Sequence, residues 1–278
     1  MNSAIHLITL PKTRPRVVEQ EYHKGNQGSF RTLWPEWNER VSRLTIRYIA
    51  SDGERYQFEK DDYHTEIDLS GHSIMSLSLE PLGHCRRLEK LGLNNNLIEE
   101  LDFTPLISCS QLRILSVTSN RLTEIDLGPL SQCPNLEALE LSHNMLTEID
   151  LSPLSECKNL RWLYASGNRL EHIDLSPLAK VRNLQYLVLS SNRLEDIDLN
   201  PLESVKDLRY LHLNNNRLTN VDISVLFGFE NLESLTLDPH VVMSANHRLR
   251  HQHYFPEPIS EMLESVEWQH EQLGRSTS

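Results

Sequence analysis

The chain has 278 residues, and its 27 Lys and Arg against 39 Asp and Glu give a formal net charge of −12. That balance argues against a protein that neutralises nucleic-acid phosphates or docks on an anionic membrane surface. With 38% hydrophobic and 24% charged residues, the composition is that of a globular protein with enough chain for one or two domains, and no apolar run reaches the roughly 18–20 residues of a membrane-spanning helix.

Residues 1–11 have no basic start, and His6 and Thr9 interrupt their apolar stretch, which makes a poor secretory signal. If the chain is complete, a cytoplasmic location is expected. Residues 1–30 lack periodicity and are expected to form a mobile arm. Trp34 and Trp37 are expected to pack on the start of the folded body, so 1–40 is arm and flank. Residues 41–63 read as an N-terminal cap. Leu44 to Phe58 has the pattern of a hairpin around Asp52-Gly53. The spacing of Val41, Leu44 and Ile46 equally fits a first parallel strand, and both readings stand.

From residue 64 to 240 the chain is periodic. Cys85, Cys109, Cys133 and Cys157 are spaced 24 residues apart, and a leucine frame recurs at Leu88, Leu112, Leu136, Leu160, Leu184, Leu208 and Leu232. A degenerate copy from His64 brings the count to eight units. Later units place Val181, Val205 and Phe229 where the cysteines stand, so the cysteines read as small core residues and not as a disulfide or zinc framework. Each L-x-L places two leucines on one side of a short strand, and strands one repeat apart must run parallel, roughly 4.8 Å from their neighbours. Asn96, Asn120, Asn144, Asn168, Asn192 and Asn216 recur at the ninth place, where an amide can satisfy backbone groups along the core. Thr104-Pro105, Ser152-Pro153, Ser176-Pro177 and Asn200-Pro201 read as capped helix starts in the second half of the unit.

The run L-x-x-L-x-L-x-x-N-x-L, as in Leu136-x-x-Leu139-x-Leu141-x-x-Asn144-x-Leu146, resembles the leucine-rich repeat family. The resemblance implies an α/β solenoid, a horseshoe with a parallel β-sheet on the concave face and short convex helices, capped at both ends. Beyond it, residues 241–278 read as a linker and cap helix. Ile259, Met262, Leu263 and Val266 have helical spacing there.

In a solenoid each place in the unit becomes a column. The third and fifth places face the concave side, and three adjacent units set Trp162, Tyr164, Tyr186, Val188, Tyr210 and His212 side by side there. Clustered aromatics of this kind suit a protein-binding site, although cross-strand stacking that only stabilises the sheet uses the same residues. The seventh place, from Ser70 to Asp238, is small and polar and is expected to leave this surface open.

Asp102, Asp126, Asp150, Asp174, Asp198 and Asp222 form a column that invites calcium, but one carboxylate per unit suits local amide bonding better. Arg121, Arg169, Arg193 and Arg217, near Glu124, Glu171, Glu195 and Asp196, read as ion pairs on a solvated rim. His247, His251 and His253, near His240, form a His-rich linker without a completing Cys or Glu, so no metal or other cofactor is expected. No G-x-S-x-G, P-loop or H-E-x-x-H pattern occurs. The resemblance therefore implies a non-catalytic scaffold that binds a protein partner; the aromatic field places that partner over residues 160–214, and a monomer is expected. A regulatory subunit of an intracellular phosphatase or small GTPase is the alternative, and a metal protein or enzyme using the His-rich linker is a more remote one.

Overall fold

An Asp-Gly turn between alternating apolar residues makes the first element of the structure, a computed structural model that describes residues 43–61, 63–252 and 254–269. Strands β1 (Arg43–Ala50) and β2 (Arg55–Asp61) pair antiparallel, from Arg43 opposite Asp61 to Ile49 opposite Arg55. Gly53 takes φ 81° at the turn, and Asp52 Oδ1 accepts the Glu54 amide at 2.9 Å. The hairpin reading therefore holds, and the parallel-strand reading of this segment does not. These elements lie within a compact unit, Val41–Ser278. The expected arm over 1–40, with Trp34 and Trp37, lies outside the described residues, as do 270–278.

The repeat follows. The three-residue strand β3 (Glu66–Asp68) begins the long sheet. The segment β4 (Ile74–Leu77) turns away to pair antiparallel with the other side of β1, so the hairpin covers the first repeat. The long sheet continues through β5 (Lys90–Gly92), β6 (Ile114–Ser116), β7 (Ala138–Glu140), β8 (Trp162–Tyr164), β9 (Tyr186–Val188) and β10 (Tyr210–His212). The chain then makes β11 (Asn220–Asp222) before β12 (Ser234–Thr236) closes the sheet as its eighth strand. Every pairing in the long sheet is parallel and joins residues 24 apart, as Trp162 with Tyr186 and Tyr186 with Tyr210. The middle residue of each strand, Ile67 in β3 and a leucine in the others, points into the core; Leu139, Leu187 and Leu211 are fully buried.

The ninth-place asparagines tie neighbouring repeats together. Asn144 Nδ2 donates to Leu141 O at 3.0 Å and to Val117 O of the preceding repeat at 3.1 Å, while its Oδ1 accepts the Leu122 amide at 3.1 Å. Asn120, Asn168 and Asn192 repeat the arrangement in a buried row. The residue before each asparagine turns the chain in the left-handed region, with Asn95, Ser119, His143, Ser191 and Asn215 at φ 56–60° and Gly167 at 67°. The row ends at Asn216. His240 stands where the next asparagine would, and the Asp238 carboxylate accepts the amides of Asn215 and Asn216 at 2.9 and 3.1 Å.

The convex segments differ from the expected helix start. They are five-residue 3₁₀ turns, such as Ser152–Glu156 and Ser176–Lys180, and not α-helices. An α-helix about 10 Å wide on every convex segment would have to be accommodated by strong curvature of a stack whose strands repeat about every 4.8 Å, and the slimmer 3₁₀ turn requires less. Nor do the Ser, Thr and Asn side chains cap these turns. The acceptor is the aspartate two residues earlier. Asp102, Asp150 and Asp174 Oδ1 each take the amide of Thr104, Ser152 and Ser176 at 2.8 Å. Bonds to Thr104, Ser152 and Ser176 hold these three carboxyls below the usual carboxylate value.

The cysteines lie in the core as free thiols. Cys109, Cys133 and Cys157 Sγ face the carbonyls of Leu82, Leu106 and Leu130 one repeat back, at 3.5, 3.6 and 3.3 Å. Burial pushes these thiols up to about 12, 11 and 12.

The C-terminal cap also departs from expectation. The segment read as a linker contains β13 (Val242–Asn246) and a 3₁₀ turn at His247–His251. Helix α1 (Glu257–Met262) is shorter than predicted, and β14 (Val266–Gln269) follows it. Strands β11, β13 and β14 form a parallel sheet that covers the last repeat. Val266 and Trp268 alternate with a polar residue, as a strand requires, and Trp268 packs edge-on to Phe227 with centroids 5.8 Å apart. Both ends of the stack are thus closed by small sheets pairing with β4 and β11, which occupy equivalent places in their repeats.

Candidate functional site on the concave sheet

In β8, β9 and β10 the central leucine is buried and the two flanking residues are partly exposed, so all six predicted side chains emerge from one face. In-register pairing lines up Trp162, Tyr186 and Tyr210 in one row and Tyr164, Val188 and His212 in the next. A strand spacing of about 4.8 Å matches the separation of stacked rings. Tyr186 and Tyr210 accordingly stack at 4.4 Å with planes 10° apart. Trp162 and Tyr164 each lie 6.3 Å from the Tyr186 ring, and His212 meets Tyr210 edge-on at 6.2 Å. Four of the predicted side chains, Trp162, Tyr164, Tyr186 and Tyr210, thus meet around Tyr186, His212 joins through Tyr210, and Val188 lies in register between Tyr164 and His212. Each side chain is half-buried by its neighbours, more than the sequence suggests.

Burial, with smaller contributions from Tyr186 and Glu140, pushes the Tyr164 phenol up to about 12. The hydrogen bond from Tyr210 to Glu233 raises that phenol to about 12 as well. Burial lowers His212, whose Nε2 lies 3.3 Å from Ser234 Oγ, so its ring is neutral at pH 7. The field is thus uncharged: aromatic faces with neutral polar tips. Its border carries charge. Arg161 lies 6.0 Å from the Trp162 ring centroid, and Arg209 bonds Glu233 at 3.0 Å. Arg161 lies outside the third- and fifth-place columns because it sits one place before the strand, although its position beside Trp162 is visible in the chain.

The N-terminal half of the same face has a different character. Lys90 and Glu66 form an exposed ion pair at 2.7 Å, and Ala138 and Ser116 are small and buried. The seventh-place residues, expected to leave the surface open, bond to one another across repeats: Ser166 to Ser142 at 3.1 Å and Ser190 to Asn214 at 2.9 Å. They are short side chains held flat against the sheet.

The other candidates resolve into structure. Arg121 pairs with Glu99 at 3.8 Å and Arg217 with Glu195 at 3.6 Å; each partner belongs to the preceding repeat and not to the arginine's own. His247 and His251 face each other edge-on at 6.0 Å, and His253 lies outside the described residues. Among the described residues no group of three or more His, Cys, Asp or Glu stands close enough to hold a metal ion, and no helix is long and apolar enough to cross a membrane. A second asparagine row went unread in the sequence. Asn135, Asn159, Asn183 and Asn231 donate to carbonyls 25 residues back, at 2.8–3.3 Å, and brace the entry to each strand.

A family model described as "Leucine rich repeat" matches residues 110–170 and 182–239, and one described as "Leucine Rich repeats (2 copies)" matches 158–204. Among solved structures, an internalin (inlF) of Listeria monocytogenes is 30% identical over 62% of this chain and 47% of its own, with a TM-score of 0.51. A leucine-rich-repeat protein of Leptospira interrogans is 24% identical over 68% of this chain and 44% of its own, at a TM-score of 0.53. The repeat ectodomain of a plant membrane receptor kinase from Arabidopsis thaliana, solved with CASPARIAN STRIP INTEGRITY FACTOR 2, is 21% identical over 74% of this chain and 24% of its own, at 0.60. The chain thus spans less than half the length of each. No curated protein matches it.

Proposed function

The chain is a leucine-rich-repeat protein, and from that premise we propose that it is a non-catalytic scaffold whose concave face holds a protein partner over residues 160–214. The observation that carries this reading is the chain of ring contacts joining Trp162, Tyr164, Tyr186, Tyr210 and His212, with Val188 in register among them, on one partly exposed sheet face. Large rigid rings lose little conformational freedom on binding and offer wide apolar faces, and Trp, Tyr and Arg dominate the energetics of protein interfaces. Arg161 and Arg209 border the field as a polar rim does.

Lateral stacking that merely stabilises the sheet predicts a different outcome from binding. Under the binding reading, Trp162→Ala with Tyr186→Ala leaves the melting temperature near wild type and removes about 2–4 kcal/mol of partner affinity, roughly 30- to 1,000-fold. Pull-down of interacting proteins by wild type and variant, identified by mass spectrometry, reads this directly. A large fall in melting temperature with capture unchanged would assign the rings to sheet stability alone.

A further inference from the structure

The strand edges of this molecule are unequal. The long sheet ends in β3 and β12, each three residues long, and β14 has four. Edges this short offer little to pair with. Strand β2 is different: it runs seven residues, Arg55–Asp61, and its outer side has no strand partner among the described residues. It contains neither Pro nor Gly, and its register with β1 is continuous, whereas the pairing of β1 with β4 is broken by a bulge at Ile49/Ala50. Neither proline nor a bulge interrupts this edge, so what guards it against pairing is the charge of Arg55, Glu59, Lys60 and Asp61.

The charges along β2 are ordered, and the order is its own complement. An antiparallel copy of Arg55-Tyr56-Gln57-Phe58-Glu59-Lys60-Asp61, related by a two-fold axis at Phe58, sets Arg55 opposite Asp61, Tyr56 opposite Lys60, Gln57 opposite Glu59 and Phe58 opposite itself. Every charged residue then faces an opposite charge, an amide or an aromatic ring, and the two phenylalanines meet at the axis. Opposed residues must point to the same side of the sheet, so the register moves only in steps of two. One step the other way opposes Glu59 to itself, and both neighbouring registers shorten the overlap. The partners are at hand: Arg55, Tyr56, Gln57 and Glu59 are exposed, and Phe58 is only half-buried. Lys60 Nζ lies 5.7 Å from the Phe58 ring and already donates to Glu66 O at 3.1 Å, which holds it at this strand.

We propose that a second copy of this chain pairs with β2 through β2, joining two three-stranded sheets into one six-stranded antiparallel sheet about a two-fold axis at Phe58. The surface lies on the N-terminal cap, apart from the concave aromatics, and replaces the monomer expected from the sequence. A single seven-residue edge is a small interface, so association is weak and concentration-dependent.

The test is sedimentation equilibrium of the full chain from about 1 µM to about 1 mM, the range in which small interfaces associate. Wild type is expected to rise from the 32.2 kDa of one chain toward twice that mass. Arg55→Asp places two acids opposite each other at both ends of the joint, and Asp61→Arg places two cations there; each alone is expected to weaken association at least tenfold. An equimolar mixture of the two restores opposite charges at both ends and is expected to recover it. Melting curves check folding, and Arg55→Asp, at an exposed position, carries the test should Asp61→Arg not fold. A wild type that stays at one chain mass throughout, as it would if this edge served a strand of a different protein, overturns the proposal. So does a dimer that neither substitution weakens.

Discussion

Asn144→Ala removes one rung of the buried amide row, and the geometry states which groups suffer. Val117 O and Leu141 O lose a donor, but each keeps another, Asn120 Nδ2 at 3.0 Å and Asn168 Nδ2 at 3.1 Å. The Leu122 amide has no such reserve: Asn144 Oδ1 is its acceptor, in a site where Asn144 is 7% exposed. One orphaned buried N–H costs about 1–3 kcal/mol, and two weakened carbonyls add about 0.5–1.5 kcal/mol each. Together with the small void, the loss is about 3–5 kcal/mol. Asn216→Ala removes the equivalent bonds, with Leu194 N and with Leu189 and Leu213 O, but at the half-buried end of the row. Water replaces the lost partners there, and the cost falls to about 1–2 kcal/mol. Thermal unfolding of both variants measures the contrast, at roughly 2–4 °C per kcal/mol for a chain of this size. Equal losses at the two positions, or a loss below about 1 kcal/mol at Asn144, would refute the assignment of the cost to an unshared amide.

Two further outcomes follow from the repeat. Gly167 stands at φ 67°, and a Cβ there would lie 2.5 Å from His143 Nδ1; Gly167→Ala should cost about 1–2 kcal/mol by denaturant unfolding, and clearly less in a His143→Ser background, whereas equal costs would show that the ring is not the obstacle. The carboxyls of Asp102, Asp150 and Asp174 are lowered by their bonds to Thr104, Ser152 and Ser176. A folded-state value below the unfolded one gives stability that is present above the usual carboxylate range near pH 4 and lost as pH falls through the lowered values. Melting temperature should therefore fall below about pH 4, and changing all three to Asn, which keeps an acceptor but does not titrate, should flatten that fall; an unchanged pH profile would contradict it.

What was legible in the chain is what repeats. Residues of the kind of Leu139 and Leu141 recur in all eight units and Asn144 in six, so the strand, its inward face and the amide row follow from spacing alone. In-register stacking then carries third- and fifth-place residues onto one face, and Trp162, Tyr186 and Tyr210 meet as spacing requires. Local geometry was less visible. Ser, Thr and Asn before Pro are good capping residues, but the aspartate two places earlier reaches the same amide, and a pattern that contains both does not say which wins. The ends were least visible because nothing repeats there. Ile259, Met262, Leu263 and Val266 have helical spacing, while Val266 and Trp268 have strand spacing; pairing of β14 with β13 decides in favour of the strand.

The central claim is that a partner sits on the aromatic half of the concave sheet, and site-directed photo-crosslinking in cells reads that position most directly. A photoreactive phenylalanine analogue at Val188, in the middle of the field, should give a discrete higher-mass adduct containing another protein. The same analogue at Glu156, on an exposed convex turn, should give none. Adducts of equal yield from both positions, or from Glu156 alone, would contradict the account.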